Sequence, residues 1–150
     1  MARRWLLLGA ASSLLMVVLG AFGAHGLRGL ERVQAEPKIL EWWETAIRYG
    51  SWHALGLVLL SLLAGRHATR CLSVAGWGFV AGELLFSGSL LLMAGLEAGG
   101  TPARWLGAVT PFGGAAFMVG WVALFVHGLS LPPESPAPAT PTGTAGPGPS

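Results

Sequence analysis

Four long apolar runs, separated by short polar links, dominate the pattern of hydrophobic and polar positions. The runs lie at about residues 5–27, 47–65, 72–96 and 110–130. At a helical rise of about 1.5 Å per residue, runs of this length cover most or all of the roughly 30 Å of a bilayer's hydrocarbon core. The pattern therefore predicts an all-α integral membrane protein, a four-helix bundle of transmembrane spans. We expect its location to be a cell membrane, either a plasma membrane or a bacterial inner membrane.

The first run also resembles a signal peptide, because Arg3 and Arg4 precede an apolar stretch that ends in small residues. The uncharged stretch from Trp5 to Ala24 is longer than the apolar region of about 7–15 residues in such peptides. We therefore expect a retained transmembrane helix, with cleavage as the alternative. The basic head and the short basic turn at residues 66–70 favour a cytoplasmic location for both termini.

The link before the second run carries the densest charge in the chain. Pro37 suits the first turn of a helix, and apolar residues follow it at helical spacing. Trp42 and Trp43 are of the type that anchors a helix at the headgroup level. Glu44 and Arg48 are four residues apart, in the order that favours an ion pair along a helix. These features predict a short interfacial amphipathic helix before the second span.

The end of the chain differs in composition from the spans. Seven of the ten prolines lie after Leu131, mixed with Gly, Ala, Thr and Ser. A segment of this composition cannot bury a core. We therefore predict a four-span membrane domain over residues 1–130 and a disordered, Pro-rich tail over residues 131–150.

Composition narrows the functional classes. Of the 150 residues, 53% are hydrophobic and 11% are charged, against about 25% charged in a typical soluble domain. The net charge of +2 and the scattered basic residues argue against a nucleic-acid partner. The single cysteine, Cys71, rules out a disulfide within the chain and a cysteine-based metal site, and the sequence contains no Asp.

No nucleophile and base have the spacing of a catalytic motif. Several serines stand isolated from any such partner: Ser12, Ser51, Ser61 and Ser73. We therefore expect no enzyme activity, and we predict neither a cofactor nor a bound metal.

Polar residues inside or beside the spans are the candidates for function. Four spans place the first and third links on the same side of the membrane, so the polar residues near those links share one leaflet. Glu83 lies about 16 Å into the third run, near the middle of the hydrocarbon core, and Ser87 shares its helix face. Thr110 and Pro111 form a helix-start signal, with Thr as the cap. The candidate polar cluster comprises His25, Glu44, Tyr49, His53, Glu83, Ser87, Ser89 and Thr110.

Four blocks of the sequence, in order and spacing, resemble the signature blocks of one family. The blocks are Gly20–His25 (GAFGAH), Trp43–Ala46 (WETA) with Tyr49 and His53, Phe86–Leu90 (FSGSL), and Thr110–Gly114 (TPFGG) with Gly120 and Trp121. Over about residues 5–130 the chain resembles the small four-span membrane proteins catalogued as domain of unknown function 423, relatives of the eukaryotic transmembrane protein 256. The resemblance implies four membrane helices and no established activity. Leu91 stands where this family usually has Tyr, and Glu83 stands where an uncharged residue is expected.

The polar candidates allow both functional and structural interpretations. A charge at the bilayer centre is unfavourable by about 2.5–3.5 kcal/mol for Arg, Lys or Asp on insertion scales, which makes Glu83 the first functional candidate. Its alternative is a protonated carboxyl that hydrogen-bonds across helices, to His53 or to a backbone carbonyl. His25 and His53 could bind a metal or haem iron, or could be interfacial histidines bonded to neighbouring groups. Ser87 and Ser89 could line a polar path or could be close-packing residues.

Three functional classes remain open at this point. The first is a structural or accessory membrane protein that packs in the lipid bilayer with itself, as a homo-oligomer, or with another membrane protein. The second is a transporter or channel component for small molecules or ions that uses Glu83 and Ser87. The third is a cofactor-binding membrane protein that uses His25 and His53. Small-residue packing motifs outnumber polar pathway residues, which favours the first class.

Overall fold

The computed structural model describes residues 1–66 and 68–132, and all regular structure within them is helical. The helices are α1 (Ala2–Phe22), α2 (Glu31–Ala35), α3 (Lys38–Arg66), α4 (Arg70–Gly82), α5 (Gly88–Ala98) and α6 (Thr110–Leu129). Three short helical segments adjoin these helices. Two are π-helical turns, wider than an α-helix, at Gly23–Leu27 and Glu83–Ser87, and one is a tighter 3₁₀ turn at Arg104–Ala108. Residues 133–150, which make up nearly all of the predicted tail, lie outside the described residues.

Four helical stretches among the described residues are long and apolar enough to cross a membrane. They are span one (Ala2–Leu27), span two (Lys38–Arg66), span three (Arg70–Ala98) and span four (Arg104–Leu129). Large apolar side chains are exposed along the outer faces of the spans, where they can contact lipid. The predicted all-α four-helix membrane bundle is therefore confirmed.

A short separate helix, α2, precedes span two, but it lies before Pro37 and therefore ahead of the stretch from which the interfacial helix was predicted. The amphipathic stretch that follows Pro37 is continuous with span two, because α3 runs without a break from Lys38 to Arg66. Arg104 Nη2 lies 2.5 Å from Glu36 Oε1, which joins the link after span one to the link after span three. We call this side of the bundle the link end.

The two central spans carry most of the core. Of the 18 most apolar consecutive residues in each span, 17% are buried in span one and in span four. The corresponding share is 44% in span two and 39% in span three. Span one packs mainly on span two, span four packs mainly on span three, and spans two and three pack on each other. Spans one and four are therefore the outer helices of the bundle.

Glycines let the paired helices approach closely. A Cβ added at Gly9 of span one would lie 2.9 Å from the carbonyl oxygen of Ala54 on span two. A Cβ added at Gly78 of span three would lie 2.9 Å from the backbone nitrogen of Gly120 on span four. Close backbone approach at small residues is the usual basis of helix association in a membrane, where burial of apolar surface gives little gain.

Apolar side chains close both ends of the bundle. Trp5, Leu57, Leu60, Leu72, Phe79 and Phe117 belong to one buried cluster, which extends from the middle of the bundle to the end opposite the links. At the link end, Leu27, Val33, Ile39, Trp43 and Ala94 form a second cluster. The indole of Trp5 is fully buried and occupies the space left by Gly76 of span three.

We expect Gly76→Ala to destabilise the bundle, because the new Cβ would lie 2.5 Å from ring carbons of Trp5. Overpacking of this kind typically lowers the free energy of unfolding by about 1–3 kcal/mol. The thermal unfolding midpoint in detergent measures the effect. Gly95→Ala in the same span is the matched control, because nothing lies within 4 Å of its added Cβ. An equal midpoint for the two variants would show that Trp5 does not depend on Gly76.

Candidate functional site

Glu83 is tied to span one by a hydrogen bond at mid-depth. Ser12 Oγ donates to Glu83 Oε2 at 2.5 Å. The expectation of His53 or a backbone carbonyl as the partner was wrong, and so was the view of Ser12 as isolated. The second carboxyl oxygen, Oε1, is buried and has no hydrogen-bond partner among the described residues.

The side chains of Glu83 and Ser12 line a groove on the outside of the bundle, between spans one and three. The remaining walls of this groove are aliphatic: Leu8, Ala11, Leu15, Leu57, Val80 and Leu84. Its volume is about 240 Å³, and Leu84 on its rim is 71% exposed. We call it the Glu83 groove. The single carboxyl at mid-depth therefore lies at the lipid-facing edge of the bundle rather than at its centre.

Ser87 lies on the same π-helical turn as Glu83, which spans Glu83–Ser87. The turn is widened because the backbone N–H of Gly88 donates to the carbonyl of Glu83, five residues earlier. The side chain of Ser87 is fully buried, and its hydroxyl has no partner among the described residues. Widened turns of this kind occur frequently at functional sites. Two polar atoms without partners thus lie on one turn of span three.

His53 uses both of its ring nitrogens inside the bundle. Its Nδ1 lies 2.7 Å from the carbonyl oxygen of Tyr49, and its Nε2 lies 3.1 Å from Nε1 of Trp121. An indole N–H can only donate, so Nε2 accepts and Nδ1 carries the proton and donates. The neutral ring therefore has no free lone pair for a metal or haem iron.

Aromatic rings enclose the imidazole of His53. Phe117 of span four stacks on it, with ring centroids 3.4 Å apart and planes 10° from parallel. Phe79 of span three meets it edge-on at 5.3 Å. The side chain is buried, so this contact fills the space between spans two, three and four and holds them together.

His25 lies far from His53. Gly9 packs beside Ala54 and Gly23 beside Trp43, which sets spans one and two antiparallel and places His53 level with Ser12 or its neighbours. His25 is about 12 residues further along span one, which corresponds to roughly 18–20 Å along the helix axis. His25 is also exposed. Within residues 1–66 and 68–132, no group of three or more metal-ligating side chains is assembled.

Ser89 and Thr110 join spans three and four. The hydroxyl of Ser89 donates to the carbonyl of Phe86 at 3.0 Å, so the hydroxyl of Thr110, also 3.0 Å away, donates to Ser89. The predicted capping role of Thr110 was wrong. Val109 occupies the cap position, and no side chain caps this helix, because a 3₁₀ turn runs into it directly.

The remaining candidates lie towards the link end. Glu44 pairs with Arg28 at 3.0 Å rather than with Arg48, because the end of span one lies beside it. Tyr49 is partly exposed and packs on Phe86, with ring centroids 4.8 Å apart. The structure thus separates the predicted cluster into the Ser12–Glu83–Ser87 region, the His53 aromatic contact, the Ser89–Thr110 tie and the link end.

Glu97 is a buried polar residue outside the predicted cluster. Its Oε1 accepts the backbone N–H of Ala103 at 3.1 Å and lies 3.5 Å from Nε of Arg104. Gly100, with a φ of 88°, makes the turn that brings this backbone back to the carboxylate. A carboxylate just before a Gly-Gly turn was the available signal. Glu97 therefore organises the link end.

Comparisons with known proteins agree with a membrane protein of four spans. The sequence model of the family described as "Protein of unknown function (DUF423)" matches residues 19–114. The chain is 42% identical over 123 residues to the UPF0382 membrane protein YwdK of Bacillus subtilis strain 168, covering 81% of this chain and 93% of the relative. It is 38% identical over 127 residues to the UPF0382 membrane protein SERP0230 of Staphylococcus epidermidis, covering 85% and 96%. No solved structure matches the chain.

We expect Ser12→Ala to lower the free energy of unfolding in detergent by about 1–2 kcal/mol, because it removes the hydrogen bond to Glu83 and leaves both carboxyl oxygens without a partner. Ser13→Ala, at the neighbouring position, is the control. In a Glu83→Leu background the Ser12→Ala change should have little effect, because its partner is gone. A loss of equal size in both backgrounds would contradict the pairing.

Proposed function

The chain belongs to the membrane-protein family described as "Protein of unknown function (DUF423)", and we propose that it is an accessory membrane protein that associates with a second copy of itself. The proposed contact surface is the Glu83 groove. The observation that carries the proposal is the position of Glu83 at the lipid-facing edge of spans one and three. This role requires no chemical reaction.

The polarity of the Glu83 groove supports an association within the membrane. A carboxyl at mid-depth is unfavourable in contact with lipid, and such groups normally face protein or water. Ser12 provides a hydrogen bond to one carboxyl oxygen only. The unpaired Oε1 is buried within the bundle, so a second helix seated in the groove would act by shielding the exposed part of the Glu83 side chain from lipid.

The shape and composition of the groove favour a second copy as the occupant. Apart from Glu83 and Ser12, its walls are aliphatic and include the small residue Ala11. In a two-fold dimer the same patch faces itself, so each copy would bring one carboxyl and one hydroxyl to the interface.

The interior of the bundle supports an accessory role over a transport pathway through a single copy. Phe79 and Phe117 enclose His53 at the centre, and apolar clusters lie towards both ends. A polar route past Glu83 would have to follow the outside of the bundle, between spans one and three.

We expect Ala11→Trp to reduce self-association in a lipid bilayer at least about tenfold, because the indole would fill the Glu83 groove. Energy transfer between labelled copies in nanodiscs or liposomes measures the effect. The matched control is Ala115→Trp, which places the same bulk in the purely apolar groove between spans three and four. A wild type that stays monomeric at high protein-to-lipid ratio, or equal losses for the two variants, would contradict the proposal.

A second candidate function is proton or cation binding at mid-depth. It is favoured by two buried polar atoms on one turn, Glu83 Oε1 and Ser87 Oγ, neither of which has a hydrogen-bond partner in the described part of the chain. Under this alternative, Glu83→Gln would abolish proton or cation flux into liposomes, because the amide cannot ionise. Self-association would persist, because Gln keeps the shape and hydrogen-bonding capacity of Glu. Undiminished flux in Glu83→Gln would exclude proton or cation binding as the function.

A cofactor role for His25 and His53 gains no support, because both nitrogens of His53 are engaged and the two residues lie far apart.

A further inference from the structure

A second groove lies at the link end, between the last turns of span one and the first turns of span two. Its volume is about 340 Å³. Its lining combines small residues of span one with three charged side chains, Arg28, Glu44 and Arg48. We call it the Arg48 groove. Unlike the Glu83 groove, it combines basic side chains with a floor of small residues.

The charges of the Arg48 groove do not cancel. Arg28 forms an ion pair with Glu44, with Nη2 and Oε1 3.0 Å apart. Arg48, one turn further into the membrane, has no ion pair or hydrogen bond to any residue in the described part of the chain. The groove therefore carries a net charge of about +1 and complements a ligand with one negative charge.

Arg48 lies at a level where phosphate is within reach. The apolar part of span two, about residues 47–65, covers about 28 Å and so matches the roughly 30 Å hydrocarbon core. Arg48 is the second residue of this part and therefore lies close to the hydrocarbon boundary. An arginine at that depth extends its side chain towards the headgroups, where phosphate is the available anion.

The walls of the groove are rigid and mainly apolar below the arginines. Trp43 Nε1 donates to the carbonyl of Leu19 at 2.9 Å, which fixes the indole against span one. Gly23 makes room for that indole, because an added Cβ would lie 2.5 Å from Trp43 Nε1. Gly20 and Ile47 continue the apolar surface towards the middle of the bilayer.

We propose that the Arg48 groove binds an anionic phospholipid. The headgroup phosphate lies against Arg48 and Arg28, where the guanidinium groups donate charge-assisted hydrogen bonds to it. The upper part of an acyl chain lies along Gly20 and Ile47. The site is independent of the association proposed at the Glu83 groove, since the two grooves share no residue.

The test is lipid binding to the full chain in a neutral detergent, with short-chain phosphatidylglycerol compared with phosphatidylcholine of the same chain length. The wild type should bind phosphatidylglycerol at least about tenfold more tightly than phosphatidylcholine, as judged by native mass spectrometry or by the lipid-dependent rise in Tm. Arg48→Gln should lose most of this preference, and Arg48→Lys should keep more of it because it keeps the charge.

Arg66→Gln is the matched control, because it removes an exposed arginine from the other end of the same span. A phosphatidylglycerol preference that is unchanged in Arg48→Gln, or reduced equally in Arg66→Gln, would overturn the proposal. A separate titration with inorganic phosphate distinguishes the lipid from a free anion. If phosphate alone raised the wild-type Tm as much as phosphatidylglycerol and Arg48→Gln abolished both effects, the groove would be an anion site and the lipid assignment would fail.

Discussion

The structure depends on the absence of water from the hydrocarbon core, because a backbone polar group placed there must find its partner within the protein and a side chain without one is unfavourable. Several side chains in the spans donate hydrogen bonds to backbone carbonyls of their own helix. Ser61 donates to Val58, Ser89 to Phe86, and His53 to Tyr49. Bonds between helices are fewer and each sets the position of a particular pair, as the Ser12–Glu83 and His53–Trp121 bonds do. The helix arrangement is thus determined by close approach at glycines and by a small number of polar contacts.

Two polar residues near mid-depth, His53 and Glu83, differ in how far the protein satisfies their hydrogen bonds. His53 is enclosed, with both nitrogens paired and an aromatic ring on its face, so its contribution is to hold three spans together. Glu83 is at the edge, with one oxygen paired and the other without a partner among the described residues. Glu83 also lines the groove on the outside of the bundle, so its side chain, rather than the enclosed imidazole, is the one that another molecule can reach.

Much of the fold could be predicted from the sequence, because length and hydropathy alone identify spans in a membrane. The contacts between spans could not. Span one is apolar around most of its circumference, so its sequence gives no indication of which face meets its neighbours, and the pairing of Ser12 with Glu83 joins residues 71 positions apart. The π-helical turns also escaped prediction, since a widened turn has no distinctive composition. Glu97 was missed because its role depends on how the following loop folds back towards it.

The pairing of the spans has a consequence for how the protein is assembled. Spans one and two pack on each other as a helical hairpin, and spans three and four do the same, with the central contact between the two hairpins made by spans two and three. Contacts between neighbours in sequence form faster than distant ones. The first hairpin can thus close through Gly9 while the remaining chain is still on the ribosome, and the second can close through Gly78. The contact between Phe79 and His53 would then join the two hairpins and complete the bundle. Each outer span can thus pack on its neighbour in sequence before the two hairpins meet.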